Sequence, residues 1–215
     1  RLDALINPNT KTAPTFRSRR DAELVKRIYS RMPTLADVHS ERPASGWDLV
    51  SFSFPNAADE DGLFAFDATR VGPDRWEVNP GDEVIRFYEA KMFNHFDHRA
   101  ADVVTSGVGL FRQGQPVAIS EEEHLDPLRL ALPRSWYPET ELGIERSGWN
   151  RRWLLAWRDT CRSTDARTMI PCVLPLVAGG RNNMPTLLCR NTAVAVASLA
   201  ACLSSYVLDY VARTK

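Results

Sequence analysis

The 215-residue chain is short of cysteine, of lysine and of net charge. Its four cysteines, Cys161, Cys172, Cys189 and Cys202, stand 11, 17 and 13 positions apart with no CxxC pair. That spacing excludes a zinc ribbon and a small disulfide-stapled scaffold, and it fits reduced, mostly buried thiols in a cytoplasmic protein. No P-loop, dinucleotide-binding fingerprint or GxS nucleophile elbow is present, which removes the commonest nucleotide and acyl-transfer sites. The longest uncharged run, Asn191–Leu208, has 18 residues. Ser198, Ser204 and Ser205 interrupt it, Asp209 follows and alanine dominates. A helix buried within a soluble domain is the expectation there, with no membrane partner. No secretory signal opens the chain. It begins at Arg1 rather than Met and stops at Lys215 directly after a helical pattern, which reads as a piece of a longer polypeptide.

What is there is an ordinary globular composition, 44% apolar and 25% charged, enough for a sizeable core. Net charge is zero, but the charges are segregated. Residues 1–35 carry eight Lys or Arg against Asp3, Asp21 and Glu23. Residues 146–168 carry six Arg against Asp159 and Asp165. Acids gather in residues 55–83, and again at Glu121, Glu122, Glu123 and Asp126. A neutral chain arranged in this way can still show basic faces to a polyanion. Of the 27 basic residues, 23 are Arg, the residue whose planar fork matches phosphate oxygens and guanine edges. Arg-rich codon usage explains the same excess without any partner.

Along the chain, residues 7–17 are polar and Pro-rich and should be extended. Ser18 and Asp21 predict a helix start, with Leu24, Val25, Ile28 and Tyr29 on one stripe and Pro33 as the stop. Residues 34–46 read as linker. From Trp47 the period becomes strand-like, with strands expected over 48–54, 63–66, 75–78, 84–93, 153–157 and 169–176. Residues 113–150 read as a long irregular insertion, and 192–211 as one long helix. The expected fold is α+β: a mixed, mostly antiparallel sheet with long loops, one basic N-terminal helix and one long apolar C-terminal helix. Residues 1–45 form a linker and basic helix in this reading, and 46–215 the body.

Several constellations could carry chemistry. Pro73-Asp74 followed by Glu89-Ala90-Lys91 fits the pattern of a metal-dependent nuclease, in which carboxylates hold the metal and Lys orients water. Glu89 and Lys91 fall on an expected strand, pointing to one face. His95, Asp97 and His98 form a polar cluster without a third ligand at a recognisable offset, so a loop of structural hydrogen bonds is the better reading. Asn7-Pro8-Asn9-Thr10 has only part of the tetrapeptide that holds a target amino group in amino-methyltransferases. No Gly-rich loop able to cradle S-adenosylmethionine accompanies it. The loops 159–168 and 179–183 carry Arg, Asn and Thr, which suit base edges and phosphates but equally suit solvated turns.

Four strings together resemble the region C-terminal to the catalytic core in large bacterial adenine-specific DNA methyltransferases. That group comprises the type IIG restriction–modification enzymes and the related enzymes of the BREX and DISARM phage-defence systems. The strings are NPNTKTAPTFRSRRDAELVKRIYSRMP (7–33), FYEAKMFNHFDHR (87–99), WRDTCRSTDARTMIPCVLP (157–175) and SLAACLSSYVLDYVARTK (198–215). The resemblance implies a target recognition domain that binds duplex DNA and positions an adenine for a separate S-adenosylmethionine-dependent core in the same polypeptide. It also implies possible contacts with other defence-system subunits, and no catalytic or cofactor site within these residues. The expected DNA-facing set is Arg19, Arg20, Lys26, Lys91, His95, His98, Arg99, Arg158, Arg162, Thr164, Arg167, Arg181 and Asn182. An internal pair of Asp97 with Arg99 is the competing role for part of that set. The alternatives are the nuclease built on Asp74, Glu89 and Lys91, and an interaction module that never touches DNA.

Overall fold

The structure is a computed structural model that describes residues 14–35, 46–50, 68–72, 75–104, 114–141, 144, 148–162, 164–179 and 183–214. The helices are α1 (Arg19–Arg31), α2 (Glu121–His124), α3 (Ala193–Leu203) and α4 (Tyr206–Ala212). The strands are β1 (Leu49–Val50), β2 (Thr69–Arg70), β3 (Trp76–Glu77), β4 (Glu83–Tyr88), β5 (Ala101–Val104), β6 (Gln115–Ala118), β7 (Trp136–Pro138), β8 (Trp153–Trp157), β9 (Pro171–Pro175), β10 (Ala178–Gly179) and β11 (Thr186–Cys189). The fold is α+β with mostly antiparallel pairing; β10 beside β4 is a parallel pair. Described residues fall into two compact units, the first within 1–50, 162–169 and 189–215, the second within 51–161 and 170–188.

In the second unit β8 pairs antiparallel with β9 over five residues and with β11 on its other edge. Its sequence WLLAW buries Leu154, Leu155 and Ala156 completely, and each Leu side chain so removed from water stabilises by about 1.5–3 kcal/mol. Strand β4 lies between β3, β7 and β10, and everything after Glu83 in it is buried. Its β-branched and aromatic residues suit a strand covered on both faces. Arg86 is the exception in type, and it is 8% exposed. Its guanidinium lies 5.5 Å from the Trp76 ring and 5.8 Å from Trp136, so the charge is buried against aromatic faces. Strand β4 ends at Tyr88, and a 3-10 turn at Ala90–Met92 follows. A separate hairpin, β5–β6, pairs Ala101 with Ala118 through Val104 with Gln115.

In the first unit the expected helix start is realised: the Ser18 side chain accepts from the Asp21 N–H, and Met32 caps the other end just before Pro33. The expected single C-terminal helix is corrected to two. Ser204 caps α3 and Ser205 opens α4, its hydroxyl accepting from the Leu208 N–H, and the axes bend by 60°. The physical reason lies in Asp209, 5% exposed. Its carboxylate accepts from the Thr168 and Met169 N–H groups at 2.6 and 2.8 Å, and α4 carries it there. A straight helix would have to bury that charge unpaired or point it elsewhere, and two serine caps at the break satisfy the freed backbone groups. No single helix among the described residues is long and apolar enough to cross a membrane.

The strand expected over 84–93 is likewise shorter, ending at Tyr88; of the strand expected over 48–54, Leu49–Val50 is described and 51–54 lie outside the described residues. The strand expected over 63–66 lies outside the described residues.

Candidate nucleic-acid interface

Helix α1 buries Val25 and leaves Arg17, Arg19, Arg20, Lys26, Arg27 and Arg31 exposed on it or at its start. Its acids do little to neutralise them. Asp21 is turned toward α4, where its carboxylate accepts from the Tyr210 hydroxyl at 2.7 Å, and that bond, with Ser18, holds its pKa below the usual range. Glu23 meets Arg19 at 2.9 Å, both well exposed, a pair of little energetic weight. Among the described residues the helix therefore presents a row of free or weakly held cations at fixed spacing, three of them the expected Arg19, Arg20 and Lys26.

The loop 162–169 of the same unit divides its residues differently. Arg162 and Thr164 are exposed, and the Arg162 N–H donates to the Asp165 carboxylate at 2.8 Å. Arg167 is half-buried: it donates to the Ser204 carbonyl at 2.5 Å, lies 3.6 Å from Asp209 and covers the Tyr206 ring at 4.2 Å. Arg213 closes the arrangement, reaching Asp209 at 3.2 Å and the carbonyls of Asp165 and Ala166. Burial pushes the Asp209 carboxyl up. The Met169 and Thr168 N–H groups, then Arg213 and Arg167, outweigh it and hold the pKa below the ordinary value.

In the second unit, three expected DNA-facing side chains, Lys91, Arg99 and Arg158, are engaged internally. Lys91 pairs with Glu89 at 3.0 Å and donates to the Gly114 carbonyl, while Arg134 approaches Glu89 from the other side at 3.5 Å. Arg99 donates to the carbonyls of His124, Asp126 and Arg129 at 2.6–2.7 Å. Arg158 donates to the Phe93 carbonyl with its Nε at 2.9 Å and with Nη2. His98 is half-buried; burial and then the nearby Arg99 lower its pKa. Asp97 does not pair with the Arg99 guanidinium; it accepts from the Arg99 backbone N–H at 3.0 Å and faces His124 at 3.4 Å.

The nuclease pattern also changes on the structure. Glu89 and Lys91 do not share a strand face, since β4 stops at Tyr88 and the two side chains neutralise each other across the 3-10 turn. Asp74 lies outside the described residues, as do Arg181 and Asn182. Among the described residues, no group of three or more His, Cys, Asp or Glu could hold a metal ion.

One residue that the sequence reading passed over stands out in the 94–97 turn. The Asn94 N–H donates to the Asp97 carbonyl at 2.7 Å and the Asp97 N–H to the Asn94 carbonyl at 3.0 Å, which leaves His95 and Phe96 at the tip. Phe96 has φ 62° and is 82% exposed, and the His95 ring stacks on it at 4.2 Å. The signal in the sequence was an Asn-X-X-Asp turn with an aromatic where glycine is usual.

No family model, curated protein or solved structure matches the chain.

Proposed function

We propose that this chain is a DNA target recognition domain of an adenine-N6 DNA methyltransferase belonging to a restriction–modification or phage-defence system. It works in the cytoplasm, gripping duplex DNA while an S-adenosylmethionine-dependent core outside these residues receives the target adenine. The observation that carries the reading is α1, whose exposed arginines and lysine stand on one short rigid element with its acids diverted or paired. Cations at helical spacing can follow a phosphate backbone, and such contacts fix register on the duplex without reading sequence. The four-string resemblance supplies the particular class. Exposed Arg162 and Thr164 add polar donors on the loop of the same unit. Internally bonded Lys91, Arg99 and Arg158 shape the loops of the second unit in this reading.

The test is fluorescence anisotropy of the whole chain on mixed-sequence duplex DNA across a salt series. Engagement of about five phosphates gives a slope of log K on log salt near −4 to −5. A weak, flat response refutes autonomous DNA binding. A second reading, an interaction module of a defence complex, has one specific observation behind it: α3 is apolar all round and leaves Val194 78% exposed, while Tyr206 and Val207 of α4 are 81% and 61% exposed. A flat salt response together with a rise in oligomeric state, lost on Val194→Asp, favours that reading.

A further inference from the structure

We propose that Phe96 stacks on a nucleobase when DNA is bound, filling the place of a base in an opened step of the duplex. The inference rests on the DNA-binding reading above and adds to it a single base-contacting residue. Three observations converge on the ring. It is presented to solvent at the tip of a two-residue turn, 82% exposed, whereas the neighbouring Phe87 and Phe93 are buried. Its backbone is left-handed at φ 62°, a region that glycine or asparagine enters freely and a bulky side chain enters only under constraint. A turn under no demand beyond its geometry would carry Gly or Asn at that position.

The third observation is the bracing. Arg158 ties the Phe93 carbonyl from β8's end, and the Tyr88 hydroxyl donates to the His98 carbonyl at 3.1 Å. Asp97 accepts from the Arg99 N–H and faces His124, while Arg99 itself clamps three carbonyls of the 124–129 loop. The turn is held at its base from three sides, so its tip projects an aromatic face with little entropy left to lose. Rigid aromatic or apolar side chains used in this way unstack a base step and hold it open.

The same bracing removes the local cations from the DNA. Arg99 and Arg158 are spent on carbonyls, and α2 exposes Glu121 and Glu122 near the clamped loop. The contribution assigned to Phe96 is therefore stacking, without Arg99 or Arg158 on phosphate, and the effect of removing the ring is independent of salt. That feature separates Phe96 from the basic helix in a measurement.

The experiment measures the full chain on a mixed-sequence duplex and on the same duplex with one central abasic site, across a salt series. Phe96→Ala and Phe96→Trp are compared with the wild type after circular dichroism confirms that each is folded. The expected result is tighter binding of the abasic duplex by the wild type. Phe96→Ala should lose affinity about 5- to 150-fold with an unchanged salt slope and lose the preference for the abasic site, and Phe96→Trp should restore both. An unaltered affinity and abasic-site preference in Phe96→Ala overturns this inference alone and leaves the ring to a protein contact. A wild type that binds neither duplex overturns the recognition-domain reading, and this inference with it.

Discussion

Replacing Asp209 by Ala should loosen the first unit at the α3–α4 break, and the structure sets the size of the effect. The carboxylate is the common acceptor for two backbone N–H groups, Thr168 and Met169, and the counter-charge for Arg213 and, at longer range, Arg167. Truncation leaves two donors and a half-buried guanidinium without their partner, which for a buried charged group costs about 3–5 kcal/mol. Because Arg213 is 43% exposed and can turn to water, the lower end, about 3 kcal/mol, is expected. For a chain of this length that lowers the melting temperature by about 6–12 °C. Asp209→Asn keeps one oxygen for the N–H groups but offers an amide to Arg213, and should cost about half as much. The pH dependence has a definite sign. The folded carboxyl sits below its unfolded value near 3.9, so its contribution is complete above that pH and drains away as pH falls through the folded value. The gap between wild type and Asp209→Ala should therefore narrow below about pH 4. Hydrogen exchange reads the local event directly: the Thr168 and Met169 amides, protected in the wild type, should exchange faster in the variant. A loss under about 1 kcal/mol with those two amides unchanged refutes the assignment of Asp209 as the tie between α4 and the 162–169 loop.

Three further outcomes follow from other parts of the molecule. Cys172 is buried, and burial first, then Asp97, pushes its thiol up to about 12, while Cys161 and Cys202 are exposed; a disulfide-exchange reagent at pH 8 should modify those two rapidly and Cys172 only on unfolding. His98 should titrate by NMR below the usual 6.5, because burial and then Arg99 disfavour its charge; its contribution to stability is whole above the unfolded value and is lost as pH falls through the folded one, and a midpoint above 6.5 refutes the burial argument. Phe96→Asn should stabilise the chain by about 0.5–1 kcal/mol, since the left-handed backbone penalty of about 1–2 kcal/mol is relieved and only the exposed stack on His95 is given up; a destabilised variant in urea denaturation would show that the ring's packing outweighs its strain.

The elements most legible in the sequence were those whose signals are local. Ser18 with Asp21 and the 24, 25, 28, 29 stripe marked α1, and WLLAW marked β8 to the residue. The break between α3 and α4 was not legible, although both serines were visible in the uncharged run. A helix period continues across Ser204-Ser205 without a Gly or Pro, and the bend is required by Asp209 meeting amides 40 residues earlier in the chain. Tertiary demand of that kind overrides propensity without leaving a mark on it. The end of β4 was missed for a similar reason: EAKMF has the apolar content of a strand, but Glu89 and Lys91 find each other, and Met92 turns inward to be fully buried.

Arginine shows why residue type alone could not sort the candidate site. Chemistry read from a string assigns Arg99, Arg158 and Arg167 to phosphates as readily as Arg19 and Arg20, since the guanidinium fork fits either partner. The chain uses the first three to hold carbonyls across 37 residues for Arg167, 65 for Arg158 and up to 30 for Arg99. Those carbonyls belong to loops and helix ends, where a guanidinium does structural work that a sheet ladder does elsewhere. Among the described residues the arginines on α1 hold no such carbonyl: the helix satisfies its own backbone, and Val25 packs its stripe against the unit's interior. A cation on a helix that satisfies its own backbone and a bonded one on an irregular loop are thus two consequences of one rule, that carbonyls of loops and helix ends take a donor from the chain before any ligand does. The same rule draws Phe96's neighbours Arg99 and Arg158 away to brace the turn, while the ring itself stays 82% exposed at its tip.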